Sequence, residues 1–137
     1  MPLQEKIKAI AAEQSAISVA TRHHLHQNPE LSFHEYETAK YIAERLKAIG
    51  LTPQEGIANT GVVVTIEGRN PTKKVVGLRA DIDALPIIEQ NDVPYKSKNH
   101  GVMHACGHDV HTSSLLSCAA ILNNLKDEFE GTVKLIF

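Results

Sequence analysis

The chain has 137 residues, 42% of them hydrophobic and 22% charged, with a net charge of −2; this is one domain's worth of chain, able to build a core without disulfide staples. The charge balance, the scattered basic residues and the lack of Trp exclude the usual signatures of a nucleic-acid or anionic-membrane partner. No apolar run reaches the roughly 20 residues of a membrane helix, "MPLQEKIKAIAAEQ" lacks a signal peptide's apolar centre, and Cys106 and Cys118 make no disulfide framework, so the expected location is the cytoplasm, with reduced thiols.

Leu3, Ile7, Ile10, Ala11 and Ile17 recur at helical spacing, which predicts an amphipathic first helix. It runs into "TRHHLHQNPELS", where Asn28-Pro29 is a helix-ending pair. Ser32 followed by Glu35 reads as a capping box, with Leu31 and Tyr36 placed for a hydrophobic staple. Ala39, Ile42, Ala43, Leu46 and Ile49 supply the apolar face of a second helix, and Gly50 is its natural stop.

The period then changes. "GVVVTIEG" and "KKVVGLRA" are β-branched runs bounded by turn residues, which predicts two buried strands, neighbours in one sheet. Residues 81–101 are irregular, with Pro86 and Pro94 as breakers. A helix is expected from about Asp109 to Leu125, with Leu115, Cys118, Leu122 and Leu125 along one side, and "GTVKLIF" reads as a further strand. The expected class is α/β, a three-layer sandwich with helices on a mixed sheet.

Chemistry concentrates in "HACGHDVHT", His104 to Thr112. Cys106 and His108 form a Cys-x-His pair at a helix start, and thiolate and neutral imidazole are good ligands for zinc-like ions. Gly107 permits the turn that lets both converge, and the helix N-terminus favours the metal-binding forms of both. Asp109 and His111 are candidate supports for these ligands, although Asp109 could equally be the helix N-cap. The competing reading is a small buried hydrophobe at Cys106 with polar loop histidines around it. "RADIDALP" adds Asp81 and Asp83 just past a strand, where α/β sheets build their sites. Two apart on an extended chain, they face one side and repel unless a cation or a proton intervenes.

"RHHLHQNPELSFHEYETAKYI", "LRADIDALPI" and "MHACGHDVHTSSLL" together resemble, in order and over nearly the whole chain, the metal-dependent aminoacylase/carboxypeptidase family. The similarity is to its hippurate hydrolase, indole-acetyl-amino-acid hydrolase and N-acetyl-diaminopimelate deacetylase branch. The resemblance implies two divalent metals, zinc or manganese foremost, with cobalt or nickel possible. It makes Cys106 the bridging thiolate, His108 a ligand of one metal, and Asp83 the aspartate that orients the site. Asp81 becomes a supporting residue, His104 and His111 have no firm ligand role, and His23, His24, His26 and His34 are structural, pocket-lining or exposed. It further implies hydrolysis of N-acyl amino acids by a metal-activated water, with a glutamate as general base.

In that family the strand matching "GTVKLIF" leads into Gln-Pro-x-Glu-Glu, which carries the general base and a metal ligand. The expectation is therefore that residues 1–137 are the N-terminal part of the di-metal catalytic domain. The rest of that domain and the lid or dimerisation domain would be absent, and the isolated chain would be inactive; with an exposed sheet edge and an uncovered apolar face it would self-associate, rely on a missing remainder or be marginally stable. The complete enzyme is expected to be a homo-oligomer. Glu128 and Glu130 stand too early to replace the missing glutamates. Two alternatives are a stand-alone weak metal-binding module and an inert fragment. A thiol nucleophile at Cys106 is a further one, weakened because a helix-start Cys-x-His does not leave the imidazole free as its base.

Overall fold

The computed structural model describes residues 1–137. Three helices, α1 (Leu3–Gln27), α2 (Tyr36–Ala48) and α3 (His108–Asn124), accompany four strands, β1 (Gln54–Ile57), β2 (Gly61–Glu67), β3 (Val75–Arg79) and β4 (Thr132–Ile136). The strands form one mixed sheet in the order β1-β2-β4-β3, antiparallel from β1 through β4 and parallel between β4 and β3. No helix is long and apolar enough to cross a membrane.

Alternation along β2 sends Val62, Val64 and Ile66 to one face, where they meet Leu135 and Phe137, Ile42 and Leu46 of α2, and Leu115, Leu116 and Ala119 of α3. The α/β class is as expected, with the sandwich present as a sheet and one helical layer. On the opposite face Thr65, Glu67, Lys134 and Ile136 are exposed.

Several local expectations need correction. The strands β2 and β3 share the sheet but are not neighbours, because β4 lies between them. A parallel pair needs a crossover; α3 supplies it, so β3–α3–β4 forms one unit. The connection from β2 to β3 straddles the incoming chain, with Gly68 N–H donating to Gly131 O and Thr132 N–H donating to Lys74 O. Nor is β3 buried: as an edge strand it leaves Val75 and Val76 exposed. The short β1 was not foreseen, since Gln54–Ile57 is exposed throughout and carries no apolar alternation.

The first helix buries Thr21, Leu25 and His26 near its C-terminal end, whereas Leu3, Ile7 and Ile17 of the anticipated stripe are exposed. The capping box does not form. Ser32 Oγ donates to Asp83 Oδ2 (3.2 Å), and Glu35 accepts from Thr60 Oγ1 (2.9 Å). Glu30 takes over, its carboxylate accepting the free N–H groups of Glu37 (3.1 Å) and Thr38 (2.7 Å). Tyr36 is 58% exposed, so no staple with Leu31 anchors the helix. At the other end Gly50 does close α2, with φ +83° and its N–H donating to Lys47 O.

Gly131 is where the crossover re-enters the sheet. It has φ +95°, and a Cβ there would sit 2.5 Å from Lys74 O. Gly131→Ala is expected to cost about 2 kcal/mol or more through backbone strain and that clash, read as a lowered Tm; a Tm equal to that of the unsubstituted chain would contradict this account of the β2–β3 connection.

Candidate metal centre

Past the end of β3 the chain stays extended and is tied on both sides. Thr112 Oγ1 of α3 donates to Asp81 O (2.8 Å), Ala84 N–H donates to Glu30 O (2.8 Å), and Leu85 pairs antiparallel with Met103. Asp81 and Asp83, separated by the buried Ile82, therefore share a side as the spacing predicted. Both carboxylates reach the same imidazole, that of His108 in the first turn of α3.

His108 Nδ1 lies 2.9 Å from Asp83 Oδ1 and 3.0 Å from Asp83 O. A carbonyl oxygen can only accept, so Nδ1 carries a proton and donates it to Asp83. The other nitrogen, Nε2, faces Asp81 Oδ2 at 3.1 Å. Arg79 pairs with Asp81 Oδ1, leaving Oδ2 to the site. One helical turn on, the exposed His111 stacks with His108, ring centroids 5.7 Å apart. One ligand atom each from Asp81, His108 and His111 lies within 4.8 Å of the others, and these residues are the only such group of three in the chain.

This donor set suits a borderline divalent ion such as zinc. The Asp83 carboxylate behind His108 is the arrangement that commonly fixes the tautomer and heading of a metal-binding imidazole. Cys106 is exposed and stands outside the group of three. Gly107, with φ +104°, makes the turn between Cys106 and His108.

Asp109 is neither an N-cap nor part of this group: Gly107 occupies the N-cap position, and Asp109 points the other way, into the protein, 1% exposed. Its Oδ2 accepts from Arg22 Nε (2.9 Å) and from His26 Nδ1 (2.7 Å). His26 Nε2 in turn meets Glu89 Oε1 at 2.9 Å. His26 is thus not an exposed polar residue but a buried link between α1, α3 and the 81–101 segment. Its neighbours follow the expectation more closely: His23 stacks on Tyr95 and His24 on Tyr41, while His34 is exposed. Arg22 and Glu89 were not foreseen, because neither stands in a recognisable spacing and their contacts span 87 and 63 residues.

His104 is 5% exposed, and neither ring nitrogen has a protein hydrogen-bond partner. Burial pushes its pKa down to about 4, against the pull of the Asp109 and Asp83 charges, so the ring is neutral at neutral pH. Glu89 moves the opposite way from a simple buried acid. Burial would raise it, but hydrogen bonds from Ser97 N–H, His26 and Asn91, together with the His26 charge, hold it below the ordinary carboxylate range. A depressed acid contributes stability above its unfolded value, here 4.5, and that contribution is lost as pH falls through the folded value. Glu89→Gln is therefore expected to lower stability at neutral pH by about 1–3 kcal/mol and to blunt the loss of Tm below pH 4.5. Superimposable Tm–pH curves for the two chains would contradict a stabilising role for the Glu89–His26–Asp109 chain.

Residues 77–137 match the model of peptidase family M20/M25/M40. The chain is 47% identical to thermostable carboxypeptidase 2 of Saccharolobus solfataricus, over all of this chain and 35% of that protein. It is 43% identical to an N-acyl-L-amino acid amidohydrolase of Geobacillus stearothermophilus, over 98% of this chain and 36% of that protein. A Bacillus subtilis protein described as a dinuclear metal-binding peptidase of family M20 superposes with a TM-score of 0.85 at 44% identity, covering 95% of this chain and 35% of that one. The chain thus spans little more than a third of the length of these relatives. In sequence and in fold it is similar to part of the M20/M25/M40 peptidases, the family model itself matching residues 77–137.

Proposed function

We propose that the protein to which this chain contributes hydrolyses the amide bond of N-acyl amino acids, or of related small amides and dipeptides, at a two-metal centre. The observation that carries the reading is the His108 imidazole, held at Nδ1 by Asp83, with Asp81 beside its other nitrogen and a ligand atom of His111 within 4.8 Å. The substrate class is supported by the amidohydrolase of G. stearothermophilus, and the metal pair by the dinuclear peptidase of B. subtilis.

In this reading Cys106 and His108 are metal ligands, zinc or manganese being the ions of choice. Two metals bound there would acidify a water and polarise the substrate carbonyl. The chain's own residues do the preparatory work. Asp83 holds the proton on Nδ1, which would leave Nε2 as the nitrogen able to hold an ion. Arg79 turns the Asp81 carboxylate so that one oxygen faces the site. Asp109, tied down by Arg22 and His26, fixes the first turn of α3 and with it the position of His108.

These residues supply one three-ligand group and no second, which is short of a dinuclear centre. We therefore take turnover to need residues beyond these 137, among them a glutamate as general base. The cytoplasmic location belongs to the same reading and is supported by two free cysteines; so does a homo-oligomeric complete enzyme.

The test is amino-acid release from a panel of N-acyl amino acids, N-benzoylglycine included, by the complete protein. Release that stops on chelation, returns with zinc or manganese, and falls by about 10–100-fold in Asp83→Asn is the expected result. The 137-residue chain alone is expected to release none. Turnover that survives chelation and His108→Ala would contradict the proposal.

A further inference from the structure

We infer that Phe33 is a specificity-determining residue, the platform on which an apolar acyl group of the substrate rests beside Asp83. The inference takes the substrate class from the hydrolytic reading. It adds a side chain that neither the sequence motifs nor the candidate metal centre included.

The turn that carries Phe33 is the first observation. His34 N–H donates to Leu31 O (2.9 Å), which closes a β-turn with Ser32 and Phe33 at its centre. Phe33 has φ +66° and Ser32 has no positive φ, a form of turn that normally takes glycine at the position of Phe33. A bulky side chain there is strained. Its ring is 75% exposed, so packing within the chain does not offset the strain. The turn is held in this shape from both ends. Before it, the Glu30 carboxylate caps α2, Glu30 O accepts from Ala84 N–H, and Leu31 bridges to Ala84. After it, the buried Glu35 accepts from Thr60 Oγ1. An over-determined backbone that presents a strained aromatic ring to solvent is the pattern of a ligand contact, not of a core residue.

Its place is the second. Asp83 Oδ1 meets His108, and Asp83 Oδ2 accepts from Ser32 Oγ (3.2 Å). Phe33 therefore follows directly on a residue that touches the same carboxylate as His108. Side chains alternate along the extended segment: Ile82 and Ala84 are buried, and Leu85, on the side of Asp81 and Asp83, is 36% exposed. Phe33 and Leu85 give this border apolar surface. Charge then selects which end of the substrate lies there. An N-acyl amino acid has an apolar acyl group at one end and a carboxylate at the other. Asp81 and Asp83 repel the carboxylate, and Arg79 is already paired with Asp81. The acyl end is the one that fits, and an aromatic acyl group gains most from the Phe33 ring.

The experiment uses the complete, zinc-loaded protein and its Phe33→Gly and Phe33→Leu variants. Binding of N-(para-fluorobenzoyl)glycine is followed by fluorine NMR, cleavage of N-benzoylglycine and N-acetylglycine by amino-acid release, and stability by Tm. The expected result is that the probe binds and that Phe33→Gly weakens it at least about tenfold. The benzoyl-to-acetyl ratio of kcat/KM should fall to a similar extent, through KM, with Phe33→Leu in between. The Tm of Phe33→Gly should equal or exceed that of the unsubstituted protein, because glycine adopts φ +66° without strain. Three results would overturn the inference: no binding of the probe, binding and ratio unchanged in Phe33→Gly, or a Tm lowered by several degrees. The last would mean that the ring packs on the rest of the protein and not on a substrate. Cleavage with an unchanged ratio ends the inference and leaves the hydrolytic reading standing. Binding that depends on Phe33, without cleavage of any N-acyl amino acid, ends that reading and supports the acyl platform.

Discussion

The hydrogen bond from His108 Nδ1 to Asp83 organises the molecule around its chemistry. It joins the extended segment after β3 to the first turn of α3. For that bond to hold one geometry, both ends must be fixed independently. Asp83 is fixed because residues 81–85 are pinned to Thr112, to Glu30 and to Met103. His108 is fixed because the next residue, Asp109, is buried and anchored from the opposite side. Adjacent residues at a helix start thus point two ways, His108 toward the Asp81 and Asp83 carboxylates, Asp109 into the protein.

The buried side of this arrangement has an energetic logic. Taking a carboxylate out of water costs several kcal/mol, in order of magnitude, unless charge and hydrogen bonds compensate. Asp109 and Glu89 are both almost fully buried and both bind His26, with Arg22 adding its guanidinium to Asp109. Each acid is satisfied, and the linked groups lock α1 to α3 and to the long 81–101 segment. His104 sits in the same region as a neutral ring held that way by burial. Its role in this account is to fill space without adding charge beside His26 and Asp109.

How much of this could be read from the sequence depends on the range of the signal. The helices α2 and α3, the strands β2 and β4 and the shared side of Asp81 and Asp83 follow from local periodicity, and the structure has them. The insertion of β4 between β2 and β3 could not be read, because pairing partners so far apart in the chain leave no local trace; Val64 pairs with Leu135, 71 residues on, and Leu78 with the same residue, 57 residues on. The Ser32–Glu35 spacing misled for a related reason: Asp83 and Thr60 are better partners for those side chains, and Glu30 does the capping. At the site, "HACGHDVHT" marked the segment from which His108 and His111 come to lie near Asp81. It could not rank its members, since only the fold shows that His111 faces Asp81 while Cys106 stands apart.

The central claim is that Asp83 presets His108 as a metal ligand through Nε2. The most direct measurement is a long-range proton–nitrogen correlation spectrum of the His108 ring, recorded on nitrogen-15-labelled chain with and without zinc at neutral pH. The account predicts a proton retained on Nδ1 throughout and a metal-induced shift confined to Nε2. A ring protonated at both nitrogens and unchanged by zinc would contradict it, leaving His108 as a salt bridge between Asp81 and Asp83 and nothing more.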